Sequence, residues 1–491
     1  MTAAPETISI ALLSHTNVGK TTLARTLLRR DIGAVMDRAH VTEVAEEYEL
    51  MRSAGGDRLL LWDTPGFGDS VRLQRRLAAS GQPLGWFLSQ VWDRFADRAF
   101  WCSQQALRAA RDSADVVLYV VNAAEDPAAA GYIEPELRIL DWLGKPSLLL
   151  LNQLGTRNDP AQDQQLAEQW GTFLRRQSTT VVQRVMSFDA FARCWVQEHV
   201  LLDAIAEVLP EPRRPACARI AAAWRARDLD VLERSAAVIA AQLVRLAGDA
   251  EPLPEATLVQ KVGRVLQGSA DAAPGADEER ARNALSTRLD ESVRESTAAL
   301  VALHGLTGTA GDQILQQVGA AFSTQRAPDA DKAGLWGGLV SGALGGLAAD
   351  LAAGGLTLGA GALLGGIAGA YGARKLTQHY RQERGLSGGS VRWSDEFLDA
   401  RLAAATIRYL AVAHFGRGRG EFQPGEPAPR WQAAVEAGLA AVASRRAKAW
   451  DAARTGTGSE SQMQGLVRTV LIETLARLYP APVAALQVDR P

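Results

Sequence analysis

The feature that most restricts how this chain can fold is a short apolar run that leads directly into a glycine–lysine loop. Residues 8–13 form the apolar run, residues 14–21 read S-H-T-N-V-G-K-T, and residues 22–28 favour a helix. The loop follows the pattern G-x-x-x-x-G-K-[ST], with Ser14 in place of the first glycine. Because such a loop points backbone N–H groups at phosphates in front of a helix N-terminus, the sequence predicts a phosphate-binding strand–loop–helix unit.

Three residues of this loop have roles that follow from their chemistry. Gly19 permits close approach of the backbone, Lys20 reaches the β- and γ-phosphates, and Thr21 offers its hydroxyl to Mg²⁺. Glycine takes up the opening turn of such a loop more easily than serine does, so Ser14 carries a modest conformational cost. The flanking strand and helix patterns favour a phosphate loop over a chance match.

A second motif lies further along the chain. Residues 58–62 form another strand pattern, and this pattern ends in Asp63-Thr64-Pro65-Gly66. A carboxylate at the end of a neighbouring strand holds Mg²⁺ and its water shell, and the following glycine N–H can bind the γ-phosphate. A surface turn is the alternative for any Pro-Gly pair, but the phosphate loop upstream favours a shared site.

The motifs H-T-N-V-G-K-T-T and W-D-T-P-G-F, in this order and separation, resemble a GTPase domain of the Era/MnmE type within the translation-factor-related class. The resemblance of these motifs covers residues from about 7 to 200 and implies GTP or GDP with Mg²⁺ as ligands. It also implies a switch region, in which Thr42 closes on Mg²⁺ and the γ-phosphate; an ordinary loop threonine is the alternative. The magnesium ligands expected on this basis are Thr21, Thr42 and Asp63. The whole chain resembles a bacterial family in which such a domain precedes a long uncharacterised helical region with a glycine-rich apolar segment.

The residue after Gly66 is Phe67, where Ras-like enzymes have a glutamine that orients water. A phenyl ring cannot orient water, so catalysis has to draw on another group. In the Era/MnmE group the asparagine that matches Asn17 is associated with a bound K⁺, often at a dimer interface. The resemblance therefore implies K⁺ near Asn17 and a homodimer or another protein partner at this domain. The catalytic residues expected are Lys20, Asn17, Thr42 and Gly66.

Selection of the base is less well defined. The strand pattern of residues 146–151 is followed by Asn152-Gln153-Leu154-Gly155, where the family has N-K-x-D. Thr156-Arg157-Asn158-Asp159 resembles a T-K-x-D variant that lies four residues too far along. GTP is the favoured nucleotide. Because a missing carboxylate weakens discrimination of guanine, ATP or mixed use is the alternative. The nucleotide-binding residues expected in total are Asn17, Val18, Gly19, Lys20, Thr21, Thr22, Asp63, Gly66, Asn152 and Ser187, the last at a strand end that is otherwise simply polar.

Apolar strand patterns alternate with helical patterns over residues 1–200. This alternation predicts an α/β phosphate-loop GTPase domain with a doubly wound, mostly parallel sheet, and with the phosphates at the carboxyl ends of the strands. An aromatic helical insertion at 71–112 either packs in the core or carries the nucleotide state to a partner. A mainly α-helical region follows, divided into 201–330, 331–375 and 376–491. Its helices are expected at 213–250, 278–304, 394–414, 430–453 and 462–478.

The segment 333–373 is unusual because it contains about a third of the 45 glycines, and Asp350 is its single charged residue. Several of these glycines recur every fourth residue, so on a helix they lie along one face and allow another backbone to approach closely. We expect a helical hairpin with a turn at Asp350. Membrane contact is the favoured interpretation, and a small-residue helix pair packed inside the C-terminal region is the alternative.

The composition places the chain in a broad class. The 53 Lys and Arg residues nearly balance the 55 Asp and Glu residues, which argues against a nucleic-acid partner. Three scattered cysteines fit a reducing compartment rather than a disulfide framework or a zinc site. No secretory signal is visible at the N-terminus. We therefore expect a cytoplasmic protein that is either free or peripheral to the inner membrane.

Together these features predict a Mg²⁺-dependent GTPase whose nucleotide state controls the helical region and its contacts with a membrane or a partner. The alternative is a regulatory or scaffold protein that binds nucleotide with negligible turnover and acts through its helical region. Phe67 and the altered base motif at residues 152–155 are the features that keep this alternative open.

Overall fold

The structure is a computed structural model, and it describes residues 4–30, 32, 44–79, 83–89, 97–154, 160–177, 179–190, 194–253, 276–306, 390–414, 429–480 and 482–483. The chain divides into two compact units, one with residues 1–230 and 413–421 and the other with residues 231–412 and 422–491. The first unit contains the predicted phosphate loop, and the second contains most of the predicted helical region.

The first unit is built on a six-stranded sheet. Its strands are β1 (Thr7–Leu13), β2 (Glu46–Arg52), β3 (Arg58–Asp63), β4 (Val116–Asn122), β5 (Ser147–Asn152) and β6 (Val182–Ser187). They lie in the order β2-β3-β1-β4-β5-β6, and only β2 runs antiparallel to its neighbour. The doubly wound, mostly parallel sheet predicted from the sequence is confirmed.

The edge strand β2 was not predicted. Its sequence is E-E-Y-E-L-M-R, and none of its residues is buried. An edge strand with charged residues along it contains neither a buried apolar run nor a clear alternation. It forms here because its backbone pairs with β3, from Glu46 opposite Asp63 to Arg52 opposite Arg58.

Helices cover both faces of this sheet. They are α1 (Lys20–Leu28), α2 (Ser70–Ala78), α3 (Pro83–Ser89), α4 (Arg98–Ser113), α5 (Ile133–Leu143), α6 (Pro160–Gln177), α7 (Trp195–Val208) and α8 (Arg214–Gly248). Alternate residues of β1 enter two apolar layers: Ile8, Ile10 and Leu12 belong to one, and Ala11 and Leu13 to the other. The strand is therefore apolar on both faces, which explains its continuous run.

The aromatic insertion forms α2, α3 and α4. Phe87 and Phe100 are fully or almost fully buried and contact each other edge to face, at 6.0 Å between ring centroids. For these two rings the prediction of core packing is confirmed. Trp92 and Phe95 lie outside the described residues, so their expected place in the core stays a prediction.

A buried carboxylate holds the first turns of α8 on the sheet. Asp57, in the turn between β2 and β3, accepts two hydrogen bonds from Arg219 of α8, at 2.7 and 2.8 Å. The same carboxylate accepts from the Ser53 hydroxyl at 2.7 Å and from the Glu6 N–H at 3.0 Å. These hydrogen bonds, led by those from Arg219, hold the pKa of Asp57 well below its usual range. One side chain thus connects the hairpin turn, the N-terminal segment and α8.

The second unit is mainly helical, as predicted. Beyond the C-terminal part of α8 it contains α9 (Ala276–Leu303), α10 (Asp395–Ala413), α11 (Pro429–Ala441), α12 (Ala443–Thr455) and α13 (Glu460–Leu478). Two helices replace the single one expected over 430–453, because Val442 leaves the helical region with φ −112° and ψ 8°. A short antiparallel pair that was not expected, β7 (Ala250–Pro252) and β8 (Ser390–Arg392), also lies in this unit.

The glycine-rich segment 333–373, with the expected hairpin turn at Asp350, lies outside the described residues. Its membrane contact and its internal packing both stay predictions. Among the helices that the structure describes, none combines the length and the apolar character that a membrane crossing needs.

We predict that Asp57→Ala destabilises the protein by about 2 kcal/mol, because it leaves the buried Ser53 hydroxyl and the Glu6 N–H without their acceptor. The change is measured as a lower urea midpoint of the full chain, followed by circular dichroism.

Glu49→Ala is the matched control on the same hairpin. Glu49 pairs with Arg52 at 2.6 Å, but both side chains are exposed, so its removal is expected to cost less than about 1 kcal/mol. Equal losses for the two variants would contradict the role given to Asp57.

Candidate nucleotide-binding site

The predicted loop lies at the carboxyl edge of the parallel strands. It follows β1 directly, and Gly19 forms the N-cap of α1 with φ +92°. Asp63 is the last residue of β3, and Asn152 is the last residue of β5. Because β1 pairs in parallel with β3, in the register of Leu12 opposite Asp63, the loop and this carboxylate lie side by side. The structure therefore brings together the loop, Asp63 and Asn152.

Gly19 is required both by its conformation and by its surroundings. Its φ lies in the left-handed region, and a Cβ atom there would be 2.6 Å from Nδ2 of Asn152. That nitrogen donates to the Val18 carbonyl at 2.7 Å, and Oδ1 of Asn152 accepts from the Ala190 N–H at 2.8 Å. Asn152 is fully buried, so its amide fixes the loop against the segment that follows β6.

Lys20 lies under the loop and is almost fully buried. Its ammonium donates to Oγ of Ser14 at 2.9 Å and to the His15 carbonyl at 3.4 Å. Burial lowers the pKa of Lys20 to about 8, although Asp63 and Glu136 favour its charged form. A buried cation with mainly neutral hydrogen-bond partners favours an anionic ligand.

Thr21 and Asp63 provide a pair of oxygen atoms beside this cation. The Thr21 hydroxyl donates to Oδ2 of Asp63 at 2.7 Å. Oδ1 of Asp63 is buried and has no hydrogen-bond partner among the described residues. Burial raises the pKa of Asp63 to about 6, and the Thr21 hydrogen bond and Lys20 oppose this rise. A hydroxyl and an orphaned carboxylate oxygen are the hard ligands that Mg²⁺ prefers, so the residues present fit that ion.

The described residues contain no group of three or more His, Cys, Asp or Glu side chains that could hold a metal ion. A Mg²⁺ ion at Thr21 and Asp63 would therefore need phosphate oxygens and water as further ligands, which is how this ion is usually bound beside nucleotides.

The segment after Asp63 pairs with the loop through its backbone. The Phe67 N–H donates to the Ser14 carbonyl at 2.9 Å, and the Thr16 N–H donates to the Phe67 carbonyl at 3.3 Å. Gly66 lies so close that a Cβ atom on it would be 2.9 Å from Cα of Thr16 and 3.1 Å from Nζ of Lys20. The Phe67 ring is fully buried in an apolar layer, which agrees with the inference that it cannot orient water.

The other predicted site residues lie in less uniform surroundings. Asn17 is exposed and has φ 64°, and its carbonyl accepts from Nε2 of Gln153 at 3.4 Å. Ser187 lies at the end of β6, and its hydroxyl donates to the Asp163 carbonyl of α6 at 3.2 Å. Thr22 is buried in the first turn of α1. Thr42 and the segment 155–159 lie outside the described residues.

Two acidic residues near the loop were not found from the sequence. Asp189, after β6, accepts from the Leu154 N–H at 2.9 Å, close to the place where the family motif has its aspartate. Glu136 of α5 is fully buried and lies 2.9 Å from Nδ1 of His15, a loop residue whose direction the sequence left open. Both contacts join distant parts of the chain, so no local pattern marks them.

The sheet order, the loop at the carboxyl edge and the Thr21–Asp63 pair give the first unit the α/β fold of a phosphate-loop domain like that of a GTPase. Residues 9–153 match the family described as "50S ribosome-binding GTPase". Residues 175–476, more than half of the chain, match the family described as "Domain of unknown function (DUF3482)", and the chain belongs to this family.

The chain is similar to several solved structures at low identity. An Era variant from Aquifex aeolicus bound to GDP and aluminium fluoride is 13% identical over 61% of this chain and 90% of its own, with a TM-score of 0.32. The FeoB G-domain from Methanococcus jannaschii is 18% identical over 41% of this chain and 97% of its own, with a TM-score of 0.22. No curated protein matches the chain.

We predict that Phe67→Gln does not raise the rate of GTP hydrolysis. The new amide would lie in the apolar layer rather than beside the phosphates, and its burial together with the lost ring should cost at least about 2 kcal/mol. Hydrolysis is measured by phosphate release and stability by urea unfolding.

Phe67→Leu is the matched control, because it keeps the layer apolar and should cost less than Phe67→Gln. A faster rate in the glutamine variant alone would show that the side chain at this position can reach the phosphates.

Proposed function

We propose that this protein binds and hydrolyses GTP, with Mg²⁺, at the phosphate loop of its first unit. The observation that carries the proposal is the pairing of Thr21 with Asp63 beside the buried ammonium of Lys20. The charges of Lys20 and Asp63 are poorly compensated by the described residues, because burial lowers the pKa of the lysine and raises that of the aspartate. A triphosphate with a bound cation would supply an anion to one and a cation to the other.

In this proposal the chain itself binds and orients the phosphates. Backbone N–H groups of residues 17–22 surround them at the positive end of α1. Lys20 contacts the β- and γ-phosphates, and the Gly66 N–H contacts the γ-phosphate. Thr21 and Asp63 hold Mg²⁺, with Thr42 as the proposed switch ligand. When bound, the ion neutralises charge that develops on the phosphate oxygens.

The attacking water needs a group other than Phe67. We propose that Asn17 helps to hold K⁺ against the phosphates, because its side chain is exposed at the loop. A charge placed there would stabilise the transition state electrostatically. A dimer or another protein partner is the proposed means of shielding this ion from water.

We propose GTP rather than ATP as the nucleotide. Asn152 occupies the place of the family asparagine and fixes the loop through Val18, but the residues that would read the base lie in an altered motif. Discrimination between GTP and ATP is therefore expected to be weaker than in a chain with the full motif.

We further propose that the nucleotide state reaches the helical region through α8. This helix runs without a break from Arg214 to Gly248 and so has residues in both units. Arg29, at the C-cap of α1, donates to Asp228 of α8 at 2.7 Å and lies 3.4 Å from Glu198 of α7. Because α1 begins at the phosphate loop, a shift of α1 on nucleotide binding would act on these two buried carboxylates.

We predict that Lys20→Ala abolishes binding of GTP by the full chain, because it removes the buried cation that the phosphates need. Isothermal titration calorimetry with GTP, and then with ATP, measures both binding and base preference. Phosphate release measures turnover.

Lys145→Ala is the matched control. Lys145 lies at the opposite edge of the sheet, just before β5, and donates to the Ala114 carbonyl at 2.7 Å. It should bind GTP like the wild type. Normal hydrolysis by Lys20→Ala would contradict the proposed site, and tight binding with negligible turnover would favour the regulatory or scaffold alternative.

We predict that hydrolysis by the wild type is at least about tenfold faster in KCl than in NaCl of equal concentration, as expected for an electrostatic group at the phosphates. Asn17→Ala should remove this difference between the two salts. Phosphate release measured under both salts tests the prediction. Equal rates in the two salts would remove the role of K⁺ and leave the nucleotide site unaffected.

A further inference from the structure

A fully buried carboxylate contacts the phosphate loop through His15. Glu136, in the first turn of α5, has no exposed surface. Its Oε1 lies 2.9 Å from Nδ1 of His15 and accepts from the Ser70 hydroxyl. Its Oε2 accepts from the Tyr119 hydroxyl at 2.8 Å. The carboxylate thus contacts the phosphate loop, the first residue of α2 and the strand β4.

Such a group is costly to bury unless several donors compensate it. An ionised carboxylate away from water loses its hydration, and hydrogen bonds from polar side chains replace that hydration in part. Three side chains from three elements contact Glu136, so its position fixes their relative positions as well. A side chain buried at this cost with this set of partners needs an explanation beyond packing.

Glu136 connects the phosphate loop with the end of the segment that contains Gly66. Phe67 pairs through its backbone with Ser14 and Thr16 of the loop, as described above. Three residues later Ser70 begins α2, whose N-cap is Asp69. Ser70 is connected to His15, the residue that follows Ser14, both through Glu136 and by a direct contact of 3.4 Å between its hydroxyl and Nδ1. The segment from Gly66 to Ser70 is therefore held to the loop at two places, one by backbone pairing and one by Glu136.

His15 is held in a single orientation within this arrangement. Its ring stacks on Tyr132 of the turn before α5, at 4.3 Å between centroids and 17° between planes. The Tyr132 hydroxyl donates to Glu125 at 2.8 Å. The ring therefore faces α5 rather than the inside of the loop, and it is available to the carboxylate instead of the phosphates.

We propose that Glu136 is a positioning residue that sets the place of Gly66 relative to the phosphate loop. This inference rests on the proposed function, because Gly66 matters only to a nucleotide that carries a γ-phosphate. The carboxylate contacts no nucleotide itself. It acts through Ser70 and His15, and its removal should weaken binding of the triphosphate while binding of the diphosphate is kept.

The test compares the affinities of the full chain for GDP and for a non-hydrolysable GTP analogue. Glu136→Gln keeps the shape of the side chain, and Ser70→Ala removes the hydroxyl of α2 that contacts both Glu136 and Nδ1 of His15. Both should lower the ratio of analogue to GDP affinity about fivefold, and Ser70→Ala should keep GDP affinity within about twofold of the wild type.

Tyr119→Phe is the matched control. It removes a donor to the same carboxylate from β4, and it leaves the contacts with the loop and α2 in place. Its ratio should equal that of the wild type, although its unfolding midpoint falls. This difference separates positioning from a merely structural role, which would lower the unfolding midpoint in all three variants and leave the ratio alone.

An unchanged ratio in Glu136→Gln and Ser70→Ala, or an equal fall in all three variants, would overturn the proposal for Glu136 while the proposed function stands. Failure of the wild type to bind either nucleotide would overturn both. Should Glu136→Gln not fold, an unchanged ratio in Ser70→Ala would by itself overturn the proposal, because Ser70 is the contact of the carboxylate with α2.

Discussion

The first unit depends on the sharp bend at Gly19, where the chain leaves β1 and enters α1. Residue 19 must adopt a left-handed φ here, and it must lack a Cβ atom because the amide of Asn152 occupies the space where that atom would lie. The same amide bonds both to Val18 and to Ala190, so the loop, the end of β5 and the segment after β6 are fixed together. The parallel pairing of β1 with β3 then places Asp63 next to Thr21.

The electrostatics of the site follow from this arrangement. Lys20 and Asp63 are both buried, and burial disfavours the charged form of each, so the pKa of the lysine falls and that of the aspartate rises. Lys20 and Asp63 each favour the charged form of the other. The hydrogen bond of Asp63 comes from the Thr21 hydroxyl. A ligand that brings negative phosphates and a divalent cation into this space would compensate the buried charges of Lys20 and Asp63. The site is therefore organised for a ligand that carries both charges.

Two groups of buried charges extend from the loop into the rest of the first unit. Glu136 connects the loop with α2, and Arg29 connects the end of α1 with α7 and α8. The second group also contains Trp224, whose indole donates to Glu198 at 2.7 Å. Buried, hydrogen-bonded charges favour one arrangement over its alternatives, because a displaced partner leaves another charge without compensation. The phosphate loop and α1 are thus joined to elements that lie further along the chain.

The sequence by itself determined the strand–loop–helix unit, the alternation of strands with helices over residues 1–200 and most helices of the C-terminal region, because each has a local periodicity or a motif of fixed spacing. Only the tertiary structure decided the edge strand β2, whose polar residues form a strand by pairing with β3. It also decided the contacts of His15 with Glu136 and of Leu154 with Asp189. These pairs are 121 and 35 residues apart in the chain, and a single polar residue on a helix or after a strand gives no sign of a distant partner. Local chemistry therefore predicted which elements form, whereas the packing of the sheet decided which charges meet.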